Sequence, residues 1–198
     1  MKTHNFEQQT PEWFAIRQKK LTASHAQAIA SAGKGLDTYV SELMSDYYSS
    51  GENENYTNKD MERGNELEPL ARTMYELETG NELDEVGFVE VDEYSGFSPD
   101  GLYKEVGGVE VKSLNDKNHF QVILNGLKAV DKKHIWQIQM SLLLSKRVWW
   151  DLILYNPNFK KSLLIFRIEP DKEMQDKLLI GIEKGKEMIK EIEKKIAT

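Results

Sequence analysis

Two blocks of short strand-like segments separated by helical spacing, with one long amphipathic helix behind them, predict an α/β (α+β) fold: a central sheet with helices packed on its faces. The first block covers residues 84–113, DEVGFVEVDEYSGFSPDGLYKEVGGVEVKS, where short alternating runs are broken by glycine and by Pro-Asp-Gly. That is the pattern of antiparallel strands joined by tight turns. In the second block, RVWWDLILYNP and KSLLIFRIEP read as two strands ended by Asn-Pro and Glu-Pro. At 198 residues the chain suits a single domain with one core.

Taken in order, PEWFAIRQKKLTASHAQAIASAG opens with a short helix around residues 13–18, breaks, and resumes as a second helix with N-cap candidates at Thr22 and Ser24. SSGENENYTNKD, residues 49–60, has the Ser, Gly and Asn content of an exposed loop. A helix follows over about 66–78, with Leu67, Leu70, Ala71, Met74 and Leu77 spaced three or four apart and Gly80 as its stop. After three strands, HIWQIQMSLLLS returns to helical spacing, and two more strands follow it. From about 171 to 197, Met174, Leu178, Leu179, Ile182, Met188, Ile189, Ile192 and Ile196 form an apolar stripe on one long helix. Such a stripe is for packing, against this core or a partner subunit.

Composition removes several chemistries. No apolar run is long enough to span a bilayer and MKTHNFEQQT lacks the apolar stretch of a secretory signal, so a cytoplasmic protein without membrane contact is expected. The absence of cysteine excludes disulfides, thiolate nucleophiles, cysteine-ligated zinc and iron-sulfur clusters. The net charge of −7 argues against a nucleic-acid partner, but residues 42–93 hold sixteen Asp and Glu against three Lys and Arg. The rest of the chain is therefore net positive and can attract a polyanion locally. The four histidines, His4, His25, His119 and His134, show no paired metal spacing, and His25 reads as an ordinary polar side chain. Trp136, Trp149, Trp150 and Tyr155 lie among aliphatic residues and are expected in the core. Adjacent on a strand, Trp149 and Trp150 point to opposite faces.

The residues that suggest chemistry lie in SPDGLYKEVGGVEVKS, residues 98–113. In a strand, i and i+2 share a face, so Glu110 and Lys112 project together while Val109 and Val111 pack the other way. Asp100 precedes them across a hairpin turn around residues 105–108, and antiparallel pairing can bring its carboxylate beside that of Glu110. Two clustered carboxylates repel one another, and a divalent cation relieves the repulsion. Oxygen donors without cysteine suit Mg²⁺, with Mn²⁺ as a substitute. A lysine beside them can orient or deprotonate a water, or neutralise charge on a phosphoryl transition state. Against this stands the plainer reading of Glu-x-Lys as a surface strand pair and of Asp100 as a turn former.

The flanking sequence resembles, in order, the lambda-exonuclease (YqaJ-type viral recombinase) branch of the PD-(D/E)xK nucleases. The resemblance rests on Trp13, Arg17 and Thr22-Ala23-Ser24, on RGNELEPLAR, on SPDG and VEVK, on IWQIQMSLLL and on RVWWDLILYNP, about residues 13–157. It implies a restriction-endonuclease-like core with a central mixed sheet, and DNA-end-binding helices over about 11–48. It implies Asp100, Glu110 and the Val111 carbonyl as metal ligands, Lys112 orienting the water, and Glu68 and Gln137 completing the catalytic site. Glu66 and Gln139 stand in the same motifs as alternatives. Arg17, Ser24 and Ser98 match positions that hold the 5′-phosphate of a DNA end.

The function so implied is a Mg²⁺-dependent 5′-to-3′ exonuclease acting on double-stranded DNA ends, as a ring trimer, beside a single-strand annealing protein in phage recombination. Two other readings use the same residues: an endonuclease of restriction or repair type, and a non-catalytic DNA-binding accessory module.

Overall fold

The computed structural model describes residues 1–49 and 59–198. Most of the loop expected over 49–60 therefore lies outside the described residues. In chain order the elements are β1 (Lys2–His4), α1 (Pro11–Arg17), β2 (Leu21–Thr22), a 3₁₀ turn (Ala23–His25), α2 (Ala26–Ser31), α3 (Lys34–Tyr48) and α4 (Lys59–Thr79). There follow β3 (Phe88–Asp92), β4 (Ser95–Phe97), β5 (Gly101–Tyr103), β6 (Gly107–Ser113), α5 (Asp116–Asn125), a 3₁₀ turn (Gly126–Ala129), α6 (Lys132–Ser145), β7 (Trp149–Tyr155), β8 (Leu163–Ile168) and α7 (Lys172–Ile196).

The strands form two mixed four-stranded sheets, ordered β1-β3-β4-β2 and β5-β6-β7-β8. The second carries the candidate chemistry. Its β5–β6 pair is an antiparallel hairpin, turned at residues 104–106 with Lys104 at φ 47°, and β7–β8 is another. Between them β6 and β7 run parallel, Gly107 against Trp149 through Ser113 against Tyr155. A parallel pair needs a long crossover, here α5 and α6. No α5 is expected from the sequence reading above; its start is fixed by Asn115, whose side chain accepts from Asn118 N at 2.9 Å.

Both faces of this sheet are covered. On one, Leu67, Ala71 and Tyr75 of α4 pack against Val109, Val111, Ile153 and Tyr155. On the other, Trp150, Leu152 and Leu154 join Ile138, Met140 and Leu142 of α6 and the apolar positions of α2, α3 and α7. Trp150 is fully buried while Trp149 lies at the surface under the Arg167 guanidinium, 3.8 Å from its ring, so the two do face opposite ways. Tyr155 and Trp136 are also packed in the core clusters.

Several expectations are corrected. Of the α4 stripe, Ala71 is buried and Leu67 packs partly buried beside it, but Leu70, Met74 and Leu77 are exposed and Tyr75 completes the inward face. Three- and four-residue spacings fit either face, and only the docking against β6 and β7 chooses. Neither Thr22 nor Ser24 caps α2, which follows directly from the 3₁₀ turn without a side-chain cap. On α7, Leu178, Ile182 and Ile189 are buried, but Leu179 and Ile196 are exposed. The closest contact there comes from Gly181, where a Cβ would lie 1.9 Å from the Ile29 carbonyl oxygen. Gly80, at φ 70°, ends α4 as expected.

Candidate active site

The pairing of β6 with β5 stops at Val109 opposite Gly101, which leaves the β6 edge open beyond that point. Asp100 fills the opening. Its N–H donates to the Val109 carbonyl at 3.3 Å, and its Oδ2 accepts from Val111 N–H at 2.6 Å. Because N–H and C=O of one strand residue point to the same side, the Val111 carbonyl faces this edge too. Glu110 and Lys112 share the opposite face from Val109 and Val111, as strand periodicity demands. Lys112 Nζ donates to Glu110 Oε1 at 2.6 Å; the Glu110 side chain is 1% exposed and that of Lys112 is 28%. The other Glu110 oxygen, Oε2, is buried without a hydrogen-bond partner.

This arrangement perturbs every acid in it. Burial, with the Asp100 and Glu68 charges adding to it, pushes Glu110 up to about 8 against the pull of Lys112. Burial also raises Asp100, opposed by Lys112 and the Val111 N–H. For Lys112 burial opposes the charge, but Glu110 and Asp100 outweigh it and hold the ammonium well above its ordinary value. Lys112 therefore keeps its proton, which favours orientation and charge neutralisation over deprotonation of a water.

Of the two acids in the α4 motif, Glu66 is exposed and Glu68 is turned inward. Burial and the Asp100 carboxylate push Glu68 up to about 7, while Arg72 and Lys112 pull it down. Glu68, Arg72 and Asp100 line one cavity of about 620 Å³. Arg72, one turn after Glu68, bonds the Asp100 carbonyl at 3.3 Å and pairs with Glu85 at 2.9 Å. It is a site residue that the sequence reading did not single out, although its i+4 spacing from Glu68 was visible.

On α6, Gln139 is pinned away from the site: its amide bonds Glu169 O at 2.8 Å and Asp171 N at 2.9 Å, tying β8 to α7. Gln137 is half-buried and has no hydrogen-bond partner among the described residues. One turn before it, on the same face, stands His134. Burial and the Lys112 charge push that imidazole down to about 4, and its Nδ1 is buried without a partner. His134 thus adjoins Lys112 and brings the Gln137 face of α6 toward the site.

The donor set fits a hard cation. Asp100 and Glu110 supply oxygen ligands, the unpartnered Glu110 Oε2 is a buried acceptor awaiting a donor or an ion, and the raised acids would release protons on binding one. Among the described residues no three His, Cys, Asp or Glu close on a single ion. Two carboxylates, the Val111 carbonyl and water are the ligands this geometry offers.

A second cluster lies beside the first in the chain. Arg17 Nη1 donates to Ser98 Oγ at 3.1 Å, and Trp13 Nε1 donates to the same oxygen at 2.9 Å. Trp13 Nε1 is shared with the Gly87 carbonyl at 3.1 Å, and with two donors on its oxygen the Ser98 hydroxyl keeps its own proton to give. Arg17 sits over the Trp13 ring at 4.1 Å and has no carboxylate partner among the described residues. Burial lowers it to about 10. Ser24 touches neither Arg17 nor Ser98 directly; its Oγ is 3.1 Å from Thr22 Oγ1 and 3.2 Å from His25 Nδ1. Trp13 is the further residue that orders this cluster, and the W-x3-R spacing was its signal.

A sheet whose open edge gathers acids around a lysine, next to an arginine with no carboxylate among the described residues, is the arrangement expected of a nuclease fold. The sequence profile of the YqaJ-like viral recombinase domain matches residues 12–147, and the chain belongs to that family. Among solved structures it is similar to an alkaline exonuclease (LHK-Exo) from Laribacter hongkongensis, with 30% identity, a TM-score of 0.79, and 95% of this chain and 98% of that one covered. The same enzyme in complex with dAMP aligns with a TM-score of 0.80 at 30% identity over the same shares. A phage-related exonuclease from Haemophilus somnus 129PT shares the fold, with a TM-score of 0.64 at 16% identity over 89% of this chain and 96% of that one. Among curated proteins none matches this sequence. Among the described residues no helix is long and apolar enough to cross a membrane.

Proposed function

We propose that the protein is a Mg²⁺-dependent exonuclease that degrades one strand of linear double-stranded DNA from its 5′ end, leaving 3′ overhangs for single-strand annealing recombination. The observation that carries this reading is the link between the two clusters. Arg17, a desolvated cation without a carboxylate partner among the described residues, bonds Ser98, and Ser98 lies two residues before Asp100. A half-buried guanidinium that has no counter-ion among the described residues gains when an anion arrives, and its planar fork suits a terminal phosphate. Asp100 follows at the bend that joins β4 to β5. A phosphate held at Arg17 therefore brings the adjoining phosphodiester toward the acids.

Asp100, Glu110 and the Val111 carbonyl would hold the ion, with Mn²⁺ suiting the same oxygens. Bound there, it supplies Lewis-acid chemistry, lowering the pKa of a water and offsetting charge on the reacting phosphate. Lys112, kept protonated, orients the attacking water and neutralises charge at the phosphorus. Glu68 and Gln137 fix the position of water and strand from the two flanking helices. In the metal-free protein Glu110, at about 8, and Glu68, at about 7, hold protons that must leave for an ion to bind, which favours metal loading on the alkaline side. The relative from Laribacter hongkongensis is itself an alkaline exonuclease.

A ring trimer around the duplex, an annealing partner and a location in the cytoplasm belong to the same reading. Light scattering of the purified protein tests the first, with a monomer counting against it. The deciding experiment is digestion of linear duplex labelled at either end, with and without Mg²⁺, alongside closed circular DNA. Loss of label from 5′ ends only when Mg²⁺ is present is expected; cleavage of the circle would replace this reading with the endonuclease, and no cleavage at all with the binding module.

A further inference from the structure

The geometry points to His25 as a positioning residue that turns the Ser24 hydroxyl outward, so that Ser24 donates a hydrogen bond to the 5′-phosphate held at Arg17. This rests on the 5′-end reading above and assigns His25, until now an ordinary polar side chain, a part in it.

The His25 ring is fixed in place. It stacks on Tyr39 with centroids 4.1 Å apart and planes 9° from parallel. Tyr39 is itself anchored, its hydroxyl donating to Lys20 O and accepting from Thr22 N, both at 3.2 Å. The stack sets the direction of Nδ1, which lies 3.2 Å from Ser24 Oγ and 3.5 Å from Thr22 Oγ1. Arg17, Thr22, His25 and Tyr39 line one cavity of about 250 Å³, which Lys20, Glu42 and Asp46 also border. Arg17 and the ring thus line the same cavity.

A serine hydroxyl has one proton, and that decides the matter. If Nδ1 is bare, Ser24 O–H points at it, and an incoming phosphate meets only oxygen lone pairs. If Nδ1 carries hydrogen, it donates to Ser24 Oγ, and the Ser24 proton is free for the phosphate. Burial and the Arg17 charge lower the imidazole pKa, which favours the neutral ring. A neutral imidazole keeps one N–H, and the choice between the two arrangements is tautomeric. Phosphate binding and the Nδ1–H tautomer therefore favour each other.

The test compares kcat/KM on linear duplex with 5′-phosphate and with 5′-hydroxyl ends, in Mg²⁺, for the wild-type protein, His25→Phe and His25→Asn. Phenylalanine keeps the stack and removes the nitrogen, and the ratio of phosphate to hydroxyl ends should fall about tenfold, the worth of one charge-assisted hydrogen bond. Asparagine offers an amide N–H near the Nδ1 position and should restore most of the ratio. A purely structural role would lower both rates together and leave the ratio alone; that result, or a His25→Phe ratio equal to wild type, overturns the inference. A wild-type ratio of one would instead overturn the 5′-end reading beneath it. Should His25→Phe fail to fold, nitrogen NMR of the wild-type imidazole decides. With 5′-phosphorylated duplex bound in the absence of divalent ions, the Nδ1–H tautomer supports the assignment and the Nε2–H tautomer refutes it.

Discussion

Asp100 Oδ2 accepts a 2.6 Å hydrogen bond from the backbone N–H of Val111, so the turn that carries one acid is tied to the strand that carries the next. The bond closes the open edge of β6 and sets the Asp100 carboxylate beside Glu110 without help from a side-chain partner. Asp100→Asn can present an amide oxygen to the same N–H and removes one of three crowded acids. Thermal unfolding should stay at or slightly above the wild-type midpoint, while Mg²⁺-dependent cleavage falls by about 10³-fold, the scale of losing a charge at a reacting centre. Cleavage near the wild-type rate would show that the ion is held elsewhere.

Glu110 and Glu68 give the metal-free protein an unusual pH dependence. Burial raises the first to about 8 and the second to about 7, from an ordinary value of 4.5 in the unfolded chain. Between these limits the folded state binds more protons than the unfolded one, so stability is full below 4.5 and falls as pH rises through 7 to 8. The unfolding midpoint in chelator should drop across that window. Added Mg²⁺ should reduce the drop by favouring the ionised acids, and Glu110→Gln should remove the Glu110 share. A midpoint that rises with pH in chelator would contradict the buried-acid account.

Arg17 is expected to be a stability liability kept for binding. It is half-buried, stacked on Trp13, and lacks a carboxylate among the described residues. Arg17→Met keeps the contact with the indole and removes the charge. Its unfolding midpoint should equal or exceed that of the wild type, while the preference for 5′-phosphorylated over 5′-hydroxyl ends falls between about 10- and 100-fold, the range for hydrogen bonds to a charged group. An unchanged preference would place the terminal phosphate at another cation.

Gln137 and Gln139 should separate cleanly. Gln139 is 2% exposed and bonds Glu169 O and Asp171 N, so Gln139→Leu leaves two backbone groups without partners and should cost about 2–3 kcal/mol in chemical denaturation, with cleavage per folded molecule retained. Gln137→Ala touches no hydrogen bond and should change stability by less than about 0.5 kcal/mol. Its cleavage rate should fall tenfold or more. The reverse pattern would exchange their roles.

The sequence alone determined the α/β class, the long C-terminal helix, and the sharing of one face by Glu110 and Lys112, because strand and helix periods are local properties. It also carried the family, through Arg17, the Thr22-Ala23-Ser24 motif, Glu68, Asp100 and the Gln137 helix, whose order is a property of the chain itself. It did not decide which α4 face is buried, since Leu70 and Tyr75 fit helical spacing equally and only docking on β6 and β7 selects Tyr75. It could not separate Gln137 from Gln139, because the distinction lies in Glu169 and Asp171, in the link from β8 to α7 about thirty residues on. Nor could it show that Arg72 reaches the Asp100 carbonyl, that Arg17 stacks on Trp13 with no acid among the described residues, or that His25 stacks on Tyr39. Those are long-range encounters, and long-range encounters are set by how the elements pack.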